Sequence, residues 1–219
     1  MRDDPFARID ATDDARFYAV PRKVVHLEPG AIDALRAVYA EHFRPGAVVL
    51  DLMSSWRSHL PEGLGKVVGL GMNAEEMVDN PKLDEWVVHD LNRPAWSPSQ
   101  APAPAEAVGK AAASADPRLP FPDAVFDAVA CAVSVQYLVR PIEVFTDVRR
   151  VLAPGGSVIV SFSNRCFPTK AVMAWLTTDD VGHRELVRAY LERSGFDDVV
   201  DEQIPTPDDP LYVVRSRRR

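Results

Sequence analysis

The chain has 219 residues, enough for one domain with a full core. It is 47% hydrophobic and 26% charged, an ordinary globular balance, and its formal net charge of -7 repels phosphate backbones, so no nucleic acid partner is expected. No apolar run approaches the roughly 18 residues of a membrane span, so no membrane association is expected either.

The N-terminal MRDDPFARIDATDD is acidic and lacks the apolar core of a signal peptide. The two cysteines, Cys131 and Cys166, form neither a disulfide framework nor a zinc pattern, and no metal is expected. Together these features point to a cytoplasmic protein. Residues 30–44 place Ile32, Leu35, Val38, Tyr39 and Phe43 on one helical face. Val48 to Leu52 reads as a buried strand, Lys66 to Leu70 as a second and Trp86 to Val88 as a short third. Residues 97–117 are rich in Ala, Pro and Ser, and are expected to be a flexible insertion. Phe126 to Val133 reads as a fourth strand that carries Cys131 as a core thiol. Pro141 opens a helix through Ile142, Phe145, Val148 and Leu152. Ala153-Pro154-Gly155-Gly156 is expected to break that helix and turn into a fifth strand, SVIVSF. A helix over 180–194 and two strands, Asp198 to Ile204 and Leu211 to Arg215, complete the pattern. The short PTPDDP link makes that last pair antiparallel. The terminal RSRRR, Arg215 to Arg219, reads as a solvated tail. This alternation argues for an α/β fold with a mainly parallel sheet.

The order VVLDL, VVGLG-MN, VVHDL, LPFPDAVFDAVACAVSVQYL and RRVLAPGGSVIVSF resembles the class I S-adenosylmethionine-dependent methyltransferases. The likeness is to the small-molecule group often called type 11. It covers residues 45–165 in motifs and the rest in layout. The resemblance implies a Rossmann-like, seven-stranded sheet with an antiparallel last strand and helices on both faces. It divides the chain into an N-terminal cap segment with the first helix (1–44) and a methyltransferase-like core (45–219). S-adenosylmethionine is the implied cofactor and a small molecule the implied acceptor. A non-catalytic or differently liganded protein of the same fold is the alternative, and the sequence leaves the oligomeric state open.

The family's first motif is D-x-G-x-G. Here only Asp51 stands, with Met53 and Ser55 at the glycine positions. The family ends its second strand with an acid that grips the ribose hydroxyls; here that position is Gly71, followed by Met72 and Asn73. Ser54 and Ser55 are expected at a helix N-terminus, either meeting the cofactor carboxylate or simply capping. Asn73 either replaces the ribose acid or caps the next helix. Asp90 matches the position that accepts from the adenine amino group, with His89 and Leu91 beside it. Ala132 and Val133 end the fourth strand at the same crevice. Tyr18, His26, His59 and Tyr137 are the candidate catalytic residues, the histidines as general bases. Arg22, Trp56, Gln136, Asn164 and Arg165 are the candidate substrate contacts.

Overall fold

The computed structural model describes residues 4–93, 118–207 and 209–219. The insertion expected over 97–117 lies outside them. Seven strands form one sheet: β1 (Val48–Ser54), β2 (Lys66–Gly71), β3 (Glu85–Val88), β4 (Phe126–Ala132), β5 (Leu152–Phe162), β6 (Asp197–Ile204) and β7 (Leu211–Arg217). Their order is β3-β2-β1-β4-β5-β7-β6. Pairing is parallel from β3 through β5, and β7 runs antiparallel to both β5 and β6. The mainly parallel sheet with an antiparallel last pair is what the sequence pattern implies, and the seven strands are what the resemblance implies. Parallel strands covered on both faces are apolar along their whole length, which is why VVL, KVVGL and AVACA show no polar alternation.

Six α-helices are described, besides a 3-10 turn over Val135–Tyr137: α1 (Asp14–Phe17), α2 (Pro29–His42), α3 (Ala74–Val78), α4 (Pro141–Val151), α5 (Met173–Leu176) and α6 (Asp180–Arg193). Helix α2 covers one face, where its Ala31, Leu35 and Tyr39 join Val49, Ala128, Ile159 and Val213. The spacing i, i+4, i+8 makes that seam, and Ile32 and Val38 flank it partly buried. Helices α4 and α6 cover the other face, where Phe145, Val148, Val187 and Leu191 meet Leu50, Leu52, Val129 and Val160. Cys131 lies in that core, and burial pushes its thiol up to about 12.

Three local expectations are corrected. The Pro154-Gly155-Gly156 turn lies inside β5, which begins at Leu152; Gly155 takes φ 80° there, and the register against β4 slips between Phe126 and Ala128. The expected basic tail is ordered structure. Arg215 pairs with Glu202, and Arg218 exchanges backbone hydrogen bonds with Gly155 and Gly156. The Arg218 guanidinium donates to the carbonyls of Arg150 and Leu152, beside the C-terminus of α4. The third correction concerns the crossover from β1 to β2. Residues 55–65 contain no helix. Pro61, Gly63 (φ 80°) and Gly65 interrupt them, and Leu60 is buried in the α2-side core.

β1 also runs further than expected, through Met53 to Ser54. Met53 adopts φ 60°, so the left-handed turn usually given to glycine is kept without one. A side chain there costs about 1–2 kcal/mol. Met53→Gly is therefore expected to be more stable than Met53→Ala by about 1 kcal/mol, although glycine is normally the weaker of the two. Urea midpoints of the two variants check this, since both delete the same side chain.

Candidate functional site

In an open α/β sheet the ligand crevice lies beyond the carboxyl ends of the strands, where strand order reverses. Here that point lies between β1 and β4, and a cavity opens there. Its floor is Asp51, Met53 and Ser54 from β1, Gly71 and Met72 at the end of β2, His89, Asp90 and Leu91 after β3, and Ala132 and Val133 at the end of β4. Val133 has φ 45°, and its N–H donates to Ser161 O at 2.7 Å. A β-branched residue in that region is strained, and such strain gathers at functional sites.

Asp51 is 5% exposed and sits at the centre of this floor. Burial raises its pKa to about 6, against the lowering effect of the Ser54 and Ser58 hydroxyls, which both donate to Oδ2. Ser54 is therefore turned down to Asp51. Ser55 donates to the Glu76 carboxylate. With no helix after β1, neither serine stands at a helix N-terminus, and the expected carboxylate seat is not built there. The breakers Pro61, Gly63 and Gly65 were the signal against a helix.

Gly71 has a steric reason. β1 continues far enough for Ser54 to pair with it, and a Cβ on Gly71 would lie 2.1 Å from Ser54 O and 3.0 Å from Met77 Sδ. No side chain fits there, acidic or otherwise. Asn73 is the N-cap of α3: its Oδ1 accepts from Glu76 N at 3.0 Å, and its Nδ2 donates to Tyr18 O at 2.8 Å. Its side-chain carbonyl is thus already engaged by the helix.

Asp90 is half-buried in the cavity wall. Burial raises its pKa, aided by Asp14 and Asp13 and opposed by the Asn92 amide and Arg93. Its Oδ1 accepts from Asn92 N at 2.8 Å. Asn92 Nδ2 in turn donates to Asp14 Oδ2 and Tyr137 O, each at 2.9 Å.

The roof is the N-terminal segment. Tyr18, Arg22, Val24, Val25 and His26 line the cavity from above. Four ties hold them: Asn73 to Tyr18 O, Arg22 N to Glu76 Oε1, Trp56 Nε1 to Val24 O at 3.0 Å, and a Lys23–Asp79 ion pair. Below them Lys170, with no exposed surface, lies 3.1 Å from Asp14 Oδ1 and 3.3 Å from Asp10 Oδ2. Asp14 also takes both contacts from Arg8 Nη1. The Arg22 guanidinium stacks over Phe17 at 4.0 Å and donates to the carbonyls of Phe17 and Val20, so it serves the roof's own fold.

The candidate bases are placed at the cavity. Burial, with Arg36 and Arg57 secondary, lowers His59 to about 4. Burial, then Arg165, lowers His26 as well. Both rings are therefore neutral at pH 7. Tyr18 and Tyr137 are raised by burial and stay protonated; Tyr137 Oη accepts from Phe167 N at 2.8 Å. Phe167 packs edge-on to His26 at 4.8 Å and stacks on Tyr137 at 6.0 Å, closing that side of the cavity with aromatic surface. Trp56 lines the mouth, with the Arg57 guanidinium 4.4 Å over its ring.

Three expected substrate contacts are not brought to the cavity. Gln136 turns inward and donates to Val133 O at 2.9 Å. Asn164 is exposed. Arg165 points away to ion pairs with Glu28 and Asp209. Glu76, Asn92, Asp14 and Phe167 were missed. The Asn-x-x-Glu spacing of Asn73 and Glu76 is the one sequence signal for any of them, and it reads as helix capping. Among the described residues no group of His, Cys, Asp and Glu is arranged for a metal.

Residues 68–160 match a family model described as a methyltransferase domain. No curated protein matches the sequence. Among solved structures, a Haloferax volcanii protein in complex with the Trm112 methyltransferase activator aligns at TM-score 0.57 and 14% identity, over 86% of this chain and 90% of its own. An S-adenosylmethionine-dependent methyltransferase from Mesorhizobium loti aligns at 0.53 and 17%, over 85% and 96%. One from Aquifex aeolicus aligns at 0.55 and 13%, over 88% and 94%. At these identities the structural likeness establishes the fold, which is that of the class I methyltransferases.

Proposed function

We propose that this chain, built on the class I methyltransferase fold, is an S-adenosylmethionine-dependent methyltransferase that acts on a small molecule. The observation that carries the reading is the buried Asp51 carboxylate on the cavity floor, with Asp90 on the wall. A cofactor with a cationic centre and an adenine amino group suits both. Asp51 would face the positive end, where a buried anion gains most from a cation. The Asp90 Oδ2, whose ion pair with Arg93 is a long one at 3.8 Å, suits the amino group, with His89 and Leu91 beside the ring. The cofactor's own carboxylate has no helix terminus waiting for it, which is where this site departs from the family.

Bound S-adenosylmethionine would supply an electrophilic methyl group on sulfur. The residues of this chain would align the acceptor and exclude water, which is most of what an in-line transfer needs. Tyr18, His26 and Phe167 form the acceptor wall in this reading. His26, neutral at pH 7, is in the right state to take a proton from the acceptor, whereas His59, lowered to about 4, is too weak a base for that role. The ties that hold the roof over the cavity favour a small acceptor over a macromolecular one in this reading. The second reading, a differently liganded protein of this fold, is favoured by one observation: Ser54, Ser55 and Asn73 are all engaged within the protein.

Calorimetric titration with S-adenosylhomocysteine separates the two. The expected result is micromolar binding, weakened about tenfold or more by Asp90→Ala through loss of a hydrogen bond to a charged group. No binding at millimolar ligand rules out the methyltransferase reading and leaves the second.

A further inference from the structure

The geometry points to Glu76 as the carboxylate that holds the ribose diol of the cofactor, in place of the acid that Gly71 cannot carry. This rests on the methyltransferase reading and adds to it a residue on a different element. Glu76 is the third residue of α3, and after an Asn N-cap a glutamate there ordinarily folds back to the N-cap amide. Here it does not. Its carboxylate turns to the cavity, where Oε1 accepts from Arg22 N and Oε2 from the Ser55 hydroxyl. The residue is only 7% exposed, so the carboxylate is committed to this place.

Three features of the chain lead to the same point. Ser54 O fills the space that a side chain on Gly71 would need. The Asn73 carbonyl is consumed by the α3 cap. Glu76 then supplies the acceptor on this side of the cavity, between the end of β2 and the roof. A carboxylate offers about four lone-pair sites, and two contacts leave room for two hydroxyl donors. The bonds from Arg22 and Ser55 also fix its rotamer, so little side-chain entropy is lost when a diol arrives.

The test is a binding cycle between side chain and hydroxyl. Wild type and Glu76→Gln are titrated with S-adenosylhomocysteine and with its 2′-deoxy and 3′-deoxy analogues. Wild type is expected to prefer the full ribose by about 10- to 100-fold, the worth of a hydrogen bond to a charged group. Glu76→Gln is expected to bind S-adenosylhomocysteine more weakly by a similar factor and to lose most of the preference. Glu76→Asp keeps a carboxylate one carbon short, and is expected to keep a reduced preference; it carries the test if the glutamine variant does not fold. Undiminished preference in the folded variant overturns the assignment alone. Failure of wild type to bind S-adenosylhomocysteine at all overturns the functional reading and this assignment with it.

Discussion

Gly71→Asp, the change that restores the family's acid, is expected to destabilise the protein by about 3 kcal/mol or more and to bring no gain in cofactor affinity. Its Cβ would stand 2.1 Å from Ser54 O, a backbone atom of the paired strand. A flexible side chain can swing away from such an overlap. A carbonyl in a ladder cannot, unless the end of β1 separates from β2. Overpacking commonly costs 1–3 kcal/mol, and a clash with fixed backbone falls at or beyond the upper end of about that range. Because the overlap is with Cβ, Gly71→Ala is expected to lose nearly as much. Urea unfolding of both variants, with S-adenosylhomocysteine titration of whatever remains folded, gives the answer. A stable Gly71→Asp protein with tenfold tighter binding would show instead that the acid was simply lost. The two departures from the family pattern, no glycine after Asp51 and no acid at the end of β2, are on this account one structural change. β1 keeps its left-handed turn at Met53 and then continues to Ser54, so the neighbouring position must be bare.

That coupling joins positions 54 and 71, far apart in the sequence, and no local pattern announces it. What was legible followed from periodicity and burial. The VVL, KVVGL and AVACA runs and the Leu35-Tyr39 and Phe145-Val148 faces each had apolar surface to bury, and the mainly parallel sheet with its antiparallel last pair came with them; the strand order did not, because pairing between distant strands leaves no local pattern. Asp51, Asp90 and Asn73 were legible as polar residues at strand ends, which is where the crevice lies. Gln136 and Arg165 were misplaced because strand-end position says nothing about side-chain direction. Gln136 had a backbone carbonyl within reach, and Arg165 had two carboxylates. The tail at Arg215 to Arg219 looked solvated because its charges were counted without their partners Glu202 and Asp198. Glu76 stayed hidden for the opposite reason: its local spacing already had a sufficient explanation in capping.

The site should also leave an electrostatic signature in stability, carried by two groups of opposite sign. Asp51 titrates near 3.8 unfolded and near 6 folded. The stability it contributes is complete below its unfolded value and is lost as pH rises through about 6, a change of about 3 kcal/mol. His59 titrates near 6.5 unfolded and near 4 folded. Its contribution is complete above its unfolded value and is lost as pH falls through about 4, by a comparable amount. Wild-type stability between pH 4 and 6.5 is thus expected to be nearly flat, because the two slopes cancel. Lowered His26 and His42 add to the histidine side, and raised Asp90 to the carboxylate side. Asp51→Asn is expected to unmask the histidine slope, gaining up to about 3 kcal/mol over wild type by pH 7. His59→Gln is expected to unmask the carboxylate slope, falling across the same window. Urea midpoints at half-unit pH steps measure both, and parallel profiles in all three proteins would show that neither group is buried as described. The Asp51 arm also bears on function. A cationic ligand beside Asp51 favours its ionised form, so binding near pH 6 must release a proton, and affinity must fall as pH drops below that value. In Asp51→Asn the proton release should vanish. A strained floor whose buried carboxylate has two hydroxyl donors but no cation beside it is less stable than the fold allows, and a bound positive charge would recover that penalty.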